Sequence, residues 1–272
     1  SGYISRVAYV MDSLMSRIGL SGRAFIPMIL GFGCSVPAIM ASRVLENQRD
    51  RYKTMLITPF MSCSARLPIY VLFSEIFFGA HAMLAAYAMY VLGLVVAVLV
   101  AYILHVFDKT QVENTLLIEL PDYKRPSWHT IYIYVSEKVK DYLSKAGTTI
   151  FVASVIMWFL LNFGIAGYTT EMTESLGAAL GRLITPLFAP IGLGFWQIVT
   201  AIIAGISAKE VVVSSCAVLF GIANINSDVG MSTMASHLAA MGFGPLNAYA
   251  MMTFCLLYVP CVATLATIKK ET

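Results

Sequence analysis

Charged residues are scarce in this sequence, and their scarcity excludes an ordinary soluble domain. Asp, Glu, Lys and Arg make up 12% of the 272 residues, whereas 58% are hydrophobic. Soluble globular proteins carry roughly 25% charged residues. Together with a mean hydropathy of +0.77, this composition indicates a polytopic membrane protein that contacts membrane lipid. The net charge of only +3 argues against nucleic acid as a partner.

The sequence also lacks two patterns that would point to other classes of protein. It has no glycine-rich phosphate-binding loop of the GxxxxGKS or GxxxxGKT type, so we expect no nucleotide site and no enzymatic activity within these residues. Its five cysteines lie in apolar segments without the paired spacing of small secreted domains, which predicts free thiols. A free cysteine is commonly a small buried hydrophobic residue, and this interpretation suits Cys216 and Cys255.

What the sequence does contain is a pair of apolar segments that are interrupted at their middle. They cover about residues 24–45 and 54–78, and glycines and prolines surround Cys34 in the first and Cys63 in the second. Every backbone polar group in hydrocarbon needs a partner, so non-helical backbone is tolerated only where it is buried in protein or lines a cavity. Paired broken segments are therefore a pointer to a transport site.

A second interrupted pair lies in the other half of the chain. Residues 196–222 contain a polar block around Lys209 and Glu210, and residues 246–268 carry Pro260 and Cys261 beyond their midpoint. Similar interruptions in both halves suggest an internal repeat. The predicted fold class is thus an all-α membrane protein, a polytopic helical bundle with two gate-type repeats of broken transmembrane helices.

The remaining segments complete a three-part division of one transmembrane domain. Residues 1–107 hold an amphipathic helix, the first gate repeat and an uninterrupted scaffold helix from about residue 82. Residues 108–145 are predicted to form a cytoplasmic loop and an interfacial helix. Residues 146–272 hold a spanning helix and the second gate repeat.

Three connecting segments carry predictions of their own. The charged segment 46–53 is expected to be a cytoplasmic turn, and residues 222–245 a polar loop. Basic residues near the C-terminal end conflict with one crossing per segment. Two explanations stay open: residues 176–195 enter the membrane, or one interrupted segment is a re-entrant hairpin.

Cysteine and serine side chains lie in the first two interruptions. Cys34 is followed by Ser35, and Cys63 is flanked by Ser62 and Ser64. Thiols, hydroxyls and freed carbonyl oxygens together suit a transition-metal cation such as iron, zinc, copper or manganese. The same small residues also let membrane helices pack closely, and composition favours the two interpretations equally.

Charged residues within the interrupted segments form a second group of candidates. An ionised group at mid-membrane costs from roughly 2.5 kcal/mol upward, so it seldom persists without a role. Lys209 and Glu210 are adjacent and cannot share one helix face. We predict that Glu210 faces the transport path, with a structural ion pair as the alternative. Arg66 is expected to pair with Glu75, with Glu210 or with freed carbonyls.

Longer stretches of the sequence resemble the membrane domain of the ferrous-iron transporter B (FeoB) family. The resemblance covers nearly the whole chain in order, and is weakest at residues 164–190 and 222–245. Its blocks are GCSVPAIMA, PFMSCSARLP, AGTTIFVASVIMWFLLNF, GISAKEVVVSS and LYVPCVATLATIKKET.

The resemblance implies Fe²⁺ uptake across the cytoplasmic, or inner, membrane, with Fe²⁺ as the transported substrate. It assigns iron contacts by position to Cys34, Cys63, Cys261 and Glu210. It also implies a cytoplasmic G-protein domain that these residues do not contain, in which the GTPase activity would reside. A small accessory protein and a homo-oligomer are further partners expected from it.

These observations predict a transport core that moves Fe²⁺ along a path lined by thiols and the neighbouring serines. The first alternative is a carrier for nucleosides or another small organic solute, because paired broken helices also occur in such transporters. The second is a non-transporting membrane sensor or assembly subunit whose working surface is residues 108–145.

Overall fold

A computed structural model of the chain describes residues 3–107, 127–164, 167–168, 174–222, 224–225 and 227–272. These residues are almost entirely helical, which confirms the all-α fold class. The predicted loop at residues 108–126 lies outside the described residues. The chain divides into two compact units, described separately below, and the three-part division drawn from the sequence stays a prediction.

The first unit comprises Ser1–Cys63, Leu92–Thr148 and Ala263–Thr272. Its core is a cluster of buried methionine, leucine, isoleucine and alanine side chains from the N-terminal helices and the second half of the scaffold helix. Its helices are α1 (Tyr3–Met15), α2 (Phe25–Gly31), α3 (Ser35–Ala41), α4 (Gln48–Ile57), the later part of α6 (Ala82–Phe107), α7 (Trp128–Tyr142) and most of α14 (Val262–Glu271).

The predicted amphipathic helix is confirmed as α1, which continues into a 3₁₀ turn at Ser16–Ile18. The Asp12 carboxylate of α1 accepts a 2.7 Å hydrogen bond from the backbone N–H of Gly22. This bond satisfies one donor of the short turn that precedes α2. A side chain on the polar face of α1 thus fixes the entry to the first broken segment.

The second unit comprises Ser64–Val91 and Thr149–Val262. Phe243 is buried at its centre, with its ring 5.5–6.1 Å from the rings of Phe73, Phe77 and Phe195. The elements are α5 (Leu67–Phe78), the first part of α6, α8 (Thr148–Asn162), a short hairpin of β1 (Phe163–Gly164) and β2 (Gly167–Tyr168), α9 (Leu176–Phe188), α10 (Trp196–Ala204), α11 (Val211–Leu219), α12 (Asp228–Ala240) and α13 (Pro245–Leu257).

Two of the sequence predictions for connecting segments are wrong. The expected turn at 46–53 is mostly helix, because Asn47 caps α4 by accepting a 3.0 Å hydrogen bond from the Arg49 N–H. The expected polar loop at 222–245 contains α12, which Ser227 caps in the same way through the Gly230 N–H. Both segments were predicted as non-helical because they are polar, although their N-cap residues, Asn47 and Ser227, are of types that commonly cap helices.

Long apolar helices agree with a multi-pass membrane protein. Among the described residues, the helical stretches Gln48–Phe107 and Pro245–Glu271, each of which includes one of the breaks described below, are long and apolar enough to cross a membrane. A third crossing results if Leu176–Ile191 and Trp196–Ala204, bent by 105°, form one span. The bend lies at the end of residues 176–195. One of the two explanations left open by the sequence is that these residues enter the membrane.

Candidate ion-path site

Both interruptions predicted in the first unit are real breaks in helix. Backbone φ and ψ of −152° and 134° at Cys34 separate α2 from α3, and its N–H donates to the Leu30 carbonyl at 3.2 Å. The second break follows a 3₁₀ turn at Thr58–Phe60, after which the chain is non-helical from Met61 to Cys63. Glycines and prolines therefore interrupt the helices where the sequence placed them.

The two breaks of the first unit lie against each other. A Cβ atom on Gly31, the last residue of α2, would lie 3.1 Å from the Met61 Cβ and 3.3 Å from the Thr58 Cγ2. The absence of a side chain at Gly31 thus allows the end of α2 to approach the start of the second break. Met61 itself is buried in this contact.

The candidate ligands of the first unit differ in exposure. Cys34 and Cys63 are half-buried, whereas Ser35 and Ser62 are buried. The Ser62 hydroxyl, in a side chain that is only 1% exposed, has no hydrogen-bond partner among the described residues. Buried polar groups normally have a partner, so the Ser62 hydroxyl is a candidate for contact with a water molecule or an ion.

The second unit contains two further breaks, and a main-chain hydrogen bond joins them. The first separates α10 from α11 at Gly205–Glu210, and the second separates α13 from α14 at Tyr258–Cys261. The N–H of Val262 donates to the Ile206 carbonyl at 3.0 Å. The structure thus brings together two interruptions that are distant in sequence.

Close packing between these breaks again depends on a glycine. A Cβ atom on Gly205 would lie 2.2 Å from the Val212 Cγ2 and 2.7 Å from the Tyr258 hydroxyl oxygen. Both contacts are shorter than a carbon atom can make. A side chain at Gly205 would therefore force Val212 and Tyr258 to move.

Lys209 occupies the space between the two breaks of the second unit. Its side chain is 3% exposed, and its ammonium donates a 2.7 Å hydrogen bond to the Val259 carbonyl. The same nitrogen lies 3.1 Å from the centre of the Tyr258 ring, a cation–π arrangement. The sequence singled out Lys209 as a buried charge but did not predict either partner.

The other predicted residues of the second unit have more open surroundings. Cys261 is half-buried, and Ser64 is exposed. Glu210 is exposed and is the N-cap residue of α11, without a side-chain hydrogen bond to the first turn of that helix. Arg66 is buried, and its predicted partner stays a prediction. Among the described residues, no three His, Cys, Asp or Glu side chains form a cluster that could hold a metal ion.

A second group of charges, which sequence reasoning missed, lies in the first unit. The Glu271 carboxylate accepts hydrogen bonds from the guanidinium groups of Arg43 and Arg51, at 2.7 Å from Arg43 Nε and 2.7 Å from Arg51 Nη2. Arg51 also donates to the Glu271 backbone carbonyl at 2.9 Å. The cluster ties α14 to α4 and to the turn after α3, and no local pattern connects residues so distant in sequence.

Models of known families match nearly the whole chain. A model of the Gate family, described as nucleoside recognition, matches residues 1–77 and 143–272, which include all four breaks. The chain belongs to the Gate family. Between the two parts of this match, residues 86–138 match a model described as the C terminus of ferrous iron transport protein B.

Relatives of this Gate chain confirm the resemblance to the FeoB membrane domain. The chain is 44% identical over its whole length to the Fe(2+) transporter FeoB of Staphylococcus aureus strain COL and 40% identical to that of Methanocaldococcus jannaschii. In each case it covers 40% of the relative's length. The chain thus spans less than half of the proteins that it matches. No solved structure matches it.

One relative joins two proteins in a single chain. The Fe(2+) transport protein A/Fe(2+) transporter FeoB fusion protein of Porphyromonas gingivalis is 36% identical to the whole Gate chain, which covers 37% of the fusion's length. The fusion places an Fe(2+) transport protein A in the same polypeptide as the transporter.

Proposed function

We propose that this chain is the membrane transport core of a ferrous-iron uptake protein, and that it carries Fe²⁺ across the inner membrane. The observation that supports this most directly is the position of the half-buried cysteines in the breaks. Cys34 and Cys63 lie in the two breaks of the first unit, and Cys261 lies in a break of the second. The names of the full-length relatives specify the ion.

The chemistry of these breaks suits a transported transition metal. Thiol and hydroxyl groups can replace part of the water shell of Fe²⁺, an ion of intermediate softness. Conduction also requires that each site bind weakly enough to release the ion. In this proposal Cys34, Cys63 and Cys261 bind Fe²⁺ in turn, and Ser35, Ser62, Ser64 and Glu210 contribute oxygen ligands along the path.

The Ser62 hydroxyl is a specific candidate ligand on the proposed path. It is buried next to the half-buried thiol of Cys63, in the break that follows Met61. An ion or water molecule at this position would satisfy the hydroxyl. The pair of Ser62 and Cys63 is therefore a part of the proposed path at which we expect Fe²⁺ to exchange water for protein ligands.

The proposed partners are those that the resemblance to the FeoB family implies. We expect a cytoplasmic G-protein domain, which would hold the GTPase activity, and a small accessory protein. The fusion in Porphyromonas gingivalis supports the accessory protein, because fused proteins often act together. A homo-oligomer is also part of the proposal.

Uptake of Fe²⁺ into proteoliposomes tests the role of the thiols. We expect Cys34→Ser and Cys63→Ser in the full-length protein each to lower Fe²⁺ flux at least several-fold, because serine is a harder and weaker ligand for this ion. Cys216→Ser is the matched control, since Cys216 is fully buried within α11. Unchanged Fe²⁺ flux in both Cys34→Ser and Cys63→Ser would overturn the proposed path.

The same vesicles separate iron transport from transport of a nucleoside, the solute named in the description of the Gate model. A nucleoside carrier would accumulate labelled nucleoside irrespective of thiol reagents, whereas the proposed path would not. The names of the relatives favour iron. A membrane sensor would show no flux of either solute.

A further inference from the structure

At the break between α13 and α14, a positive charge would stabilise the carbonyl groups at the C-terminal end of α13. The last carbonyl groups of a helix lack intrahelical partners, and the helix dipole adds partial negative charge at that end. In membrane transporters, unwound carbonyls and the C-terminal ends of half-helices coordinate cations for this reason. The chain leaves α13 at Tyr258, and Pro260 offers no N–H to the carbonyls beside it.

Lys209 already supplies that charge from the neighbouring break. Its ammonium lies 2.7 Å from the Val259 carbonyl oxygen and 3.1 Å from the centre of the Tyr258 ring. Both distances are those that a bound monovalent cation of similar size would adopt toward a carbonyl and an aromatic face. Burial of the side chain to 3% exposure places this ammonium away from solvent.

The surrounding packing holds the ammonium in this position. The Val262 N–H to Ile206 carbonyl bond joins the two breaks, and Gly205 allows the Tyr258 ring to approach. The Tyr258 ring also stacks on Phe254 at 5.2 Å. Lys209 is thus directed at one carbonyl and one ring by contacts on both sides.

We infer that Lys209 is a tethered cation that occupies a monovalent-cation position at the Tyr258–Cys261 break and so excludes free potassium or ammonium ions from it. This inference rests on the proposed function, because it makes Lys209 a specificity-determining residue of the ion path. A fixed positive charge at the break also opposes tight retention of Fe²⁺ on the Cys261 thiol.

Replacement of the charge provides the test. The full-length protein is placed in lipid nanodiscs without iron, and Tm is measured in potassium, ammonium or N-methyl-D-glucamine chloride at equal ionic strength. In N-methyl-D-glucamine we expect Lys209→Met to lower Tm by roughly 5 °C or more, because the Val259 carbonyl loses its partner. Potassium and ammonium should restore at least half of the loss, whereas the bulky cation cannot enter.

Two variants serve as controls for this experiment. Lys209→Arg keeps a cation at the break, so its Tm should not depend on which salt is present. Lys269→Met removes an exposed lysine of α14 and should show the same independence. Wild-type protein should likewise unfold at one temperature in all three salts.

Two results would overturn the inference. One is a Tm of Lys209→Met equal to that of wild type in N-methyl-D-glucamine, and the other is a lowered Tm that neither potassium nor ammonium raises. If Lys209→Met yields no folded protein in N-methyl-D-glucamine, the yield of folded protein in the three salts replaces Tm, and a yield that neither potassium nor ammonium raises overturns the inference. The assay contains no iron, so its outcome is independent of whether Fe²⁺ is the transported ion.

Discussion

The two units contain similar pairs of helix breaks but differ in the side chains that lie at those breaks. Each contains two breaks that lie against each other, and in each a glycine permits the approach, Gly31 in the first unit and Gly205 in the second. In the second unit the Lys209 ammonium fills the space between the breaks. In the first unit the Ser62 hydroxyl makes no hydrogen bond within the described residues; the Tyr258 hydroxyl of the second unit makes none there either, but the Tyr258 ring contacts the Lys209 ammonium.

This difference suggests a division of roles within one repeated plan. In the proposed path the thiols and hydroxyls at the breaks bind Fe²⁺, and at the Tyr258–Cys261 break the Lys209 ammonium additionally keeps free monovalent cations out. Paired broken helices therefore do not by themselves identify a binding site. In our proposal the side chains at the breaks decide which ion can enter.

The largest effect is expected at the charge cluster of the first unit. Glu271→Gln removes the carboxylate that two arginines share, and the side chain of Glu271 is 4% exposed. Breaking a buried pair costs about 3–5 kcal/mol, but both arginines are partly exposed, so we expect a loss of about 2–3 kcal/mol in unfolding free energy.

Glu46→Gln is the matched control for that prediction, measured by the same thermal unfolding in detergent. Glu46 pairs with Arg23, but its side chain is 82% exposed, so its loss should cost less than about 1 kcal/mol. Equal losses in the two variants would show that the cluster around Glu271 does not hold α14 in place.

A smaller effect is expected from the two glycines, and it compares the units directly. Gly205→Ala places a Cβ 2.2 Å from Val212, so overpacking should lower stability by about 1–3 kcal/mol. In Gly31→Ala the added Cβ lies 3.1 Å from the Met61 Cβ, and a small shift of Met61 can relieve this contact. We therefore expect a loss of unfolding free energy below about 1 kcal/mol.

Chemical denaturation of both glycine variants checks this order. Gly147→Ala is the control, because nothing lies within 4 Å of the added Cβ. A larger loss for Gly31→Ala than for Gly205→Ala would contradict the tighter contact that we assign to the breaks of the second unit.

The smallest effect on stability is expected at Ser62. Ser62→Ala removes a buried hydroxyl without a protein partner among the described residues, so unfolding free energy should stay constant or rise by up to about 1 kcal/mol. Ser207→Ala removes a hydroxyl that donates to the Ala204 carbonyl at 2.7 Å, and should cost about 0.5–1.5 kcal/mol.

Fe²⁺ uptake by the Ser62 variant then separates packing from function. If the hydroxyl serves the ion path, flux should fall in Ser62→Ala although stability does not. Full flux in this variant would remove Ser62 from the proposed ligands of the first unit.

Local features of the sequence predicted the helices and their interruptions well. The long scaffold helix, the breaks at Cys34 and Cys63 and those near Lys209 and Cys261 all lie where the residues placed them. Two capped helices were missed, because the polar segments around Asn47 and Ser227 resemble loops in composition. Individual ligands of the candidate site stay predictions, because exposure and orientation depend on neighbours far along the chain.

The sequence by itself determined that this is a helical membrane protein with paired broken segments, because hydrophobicity and the breaking of helices by glycine and proline are local properties. Only the tertiary structure decided which breaks meet and what lies between them. The bond from Lys209 to the Val259 carbonyl spans 50 residues, and the contact of Arg43 with Glu271 spans 228. Such pairings arise from packing in three dimensions, since no local preference of either residue selects its partner.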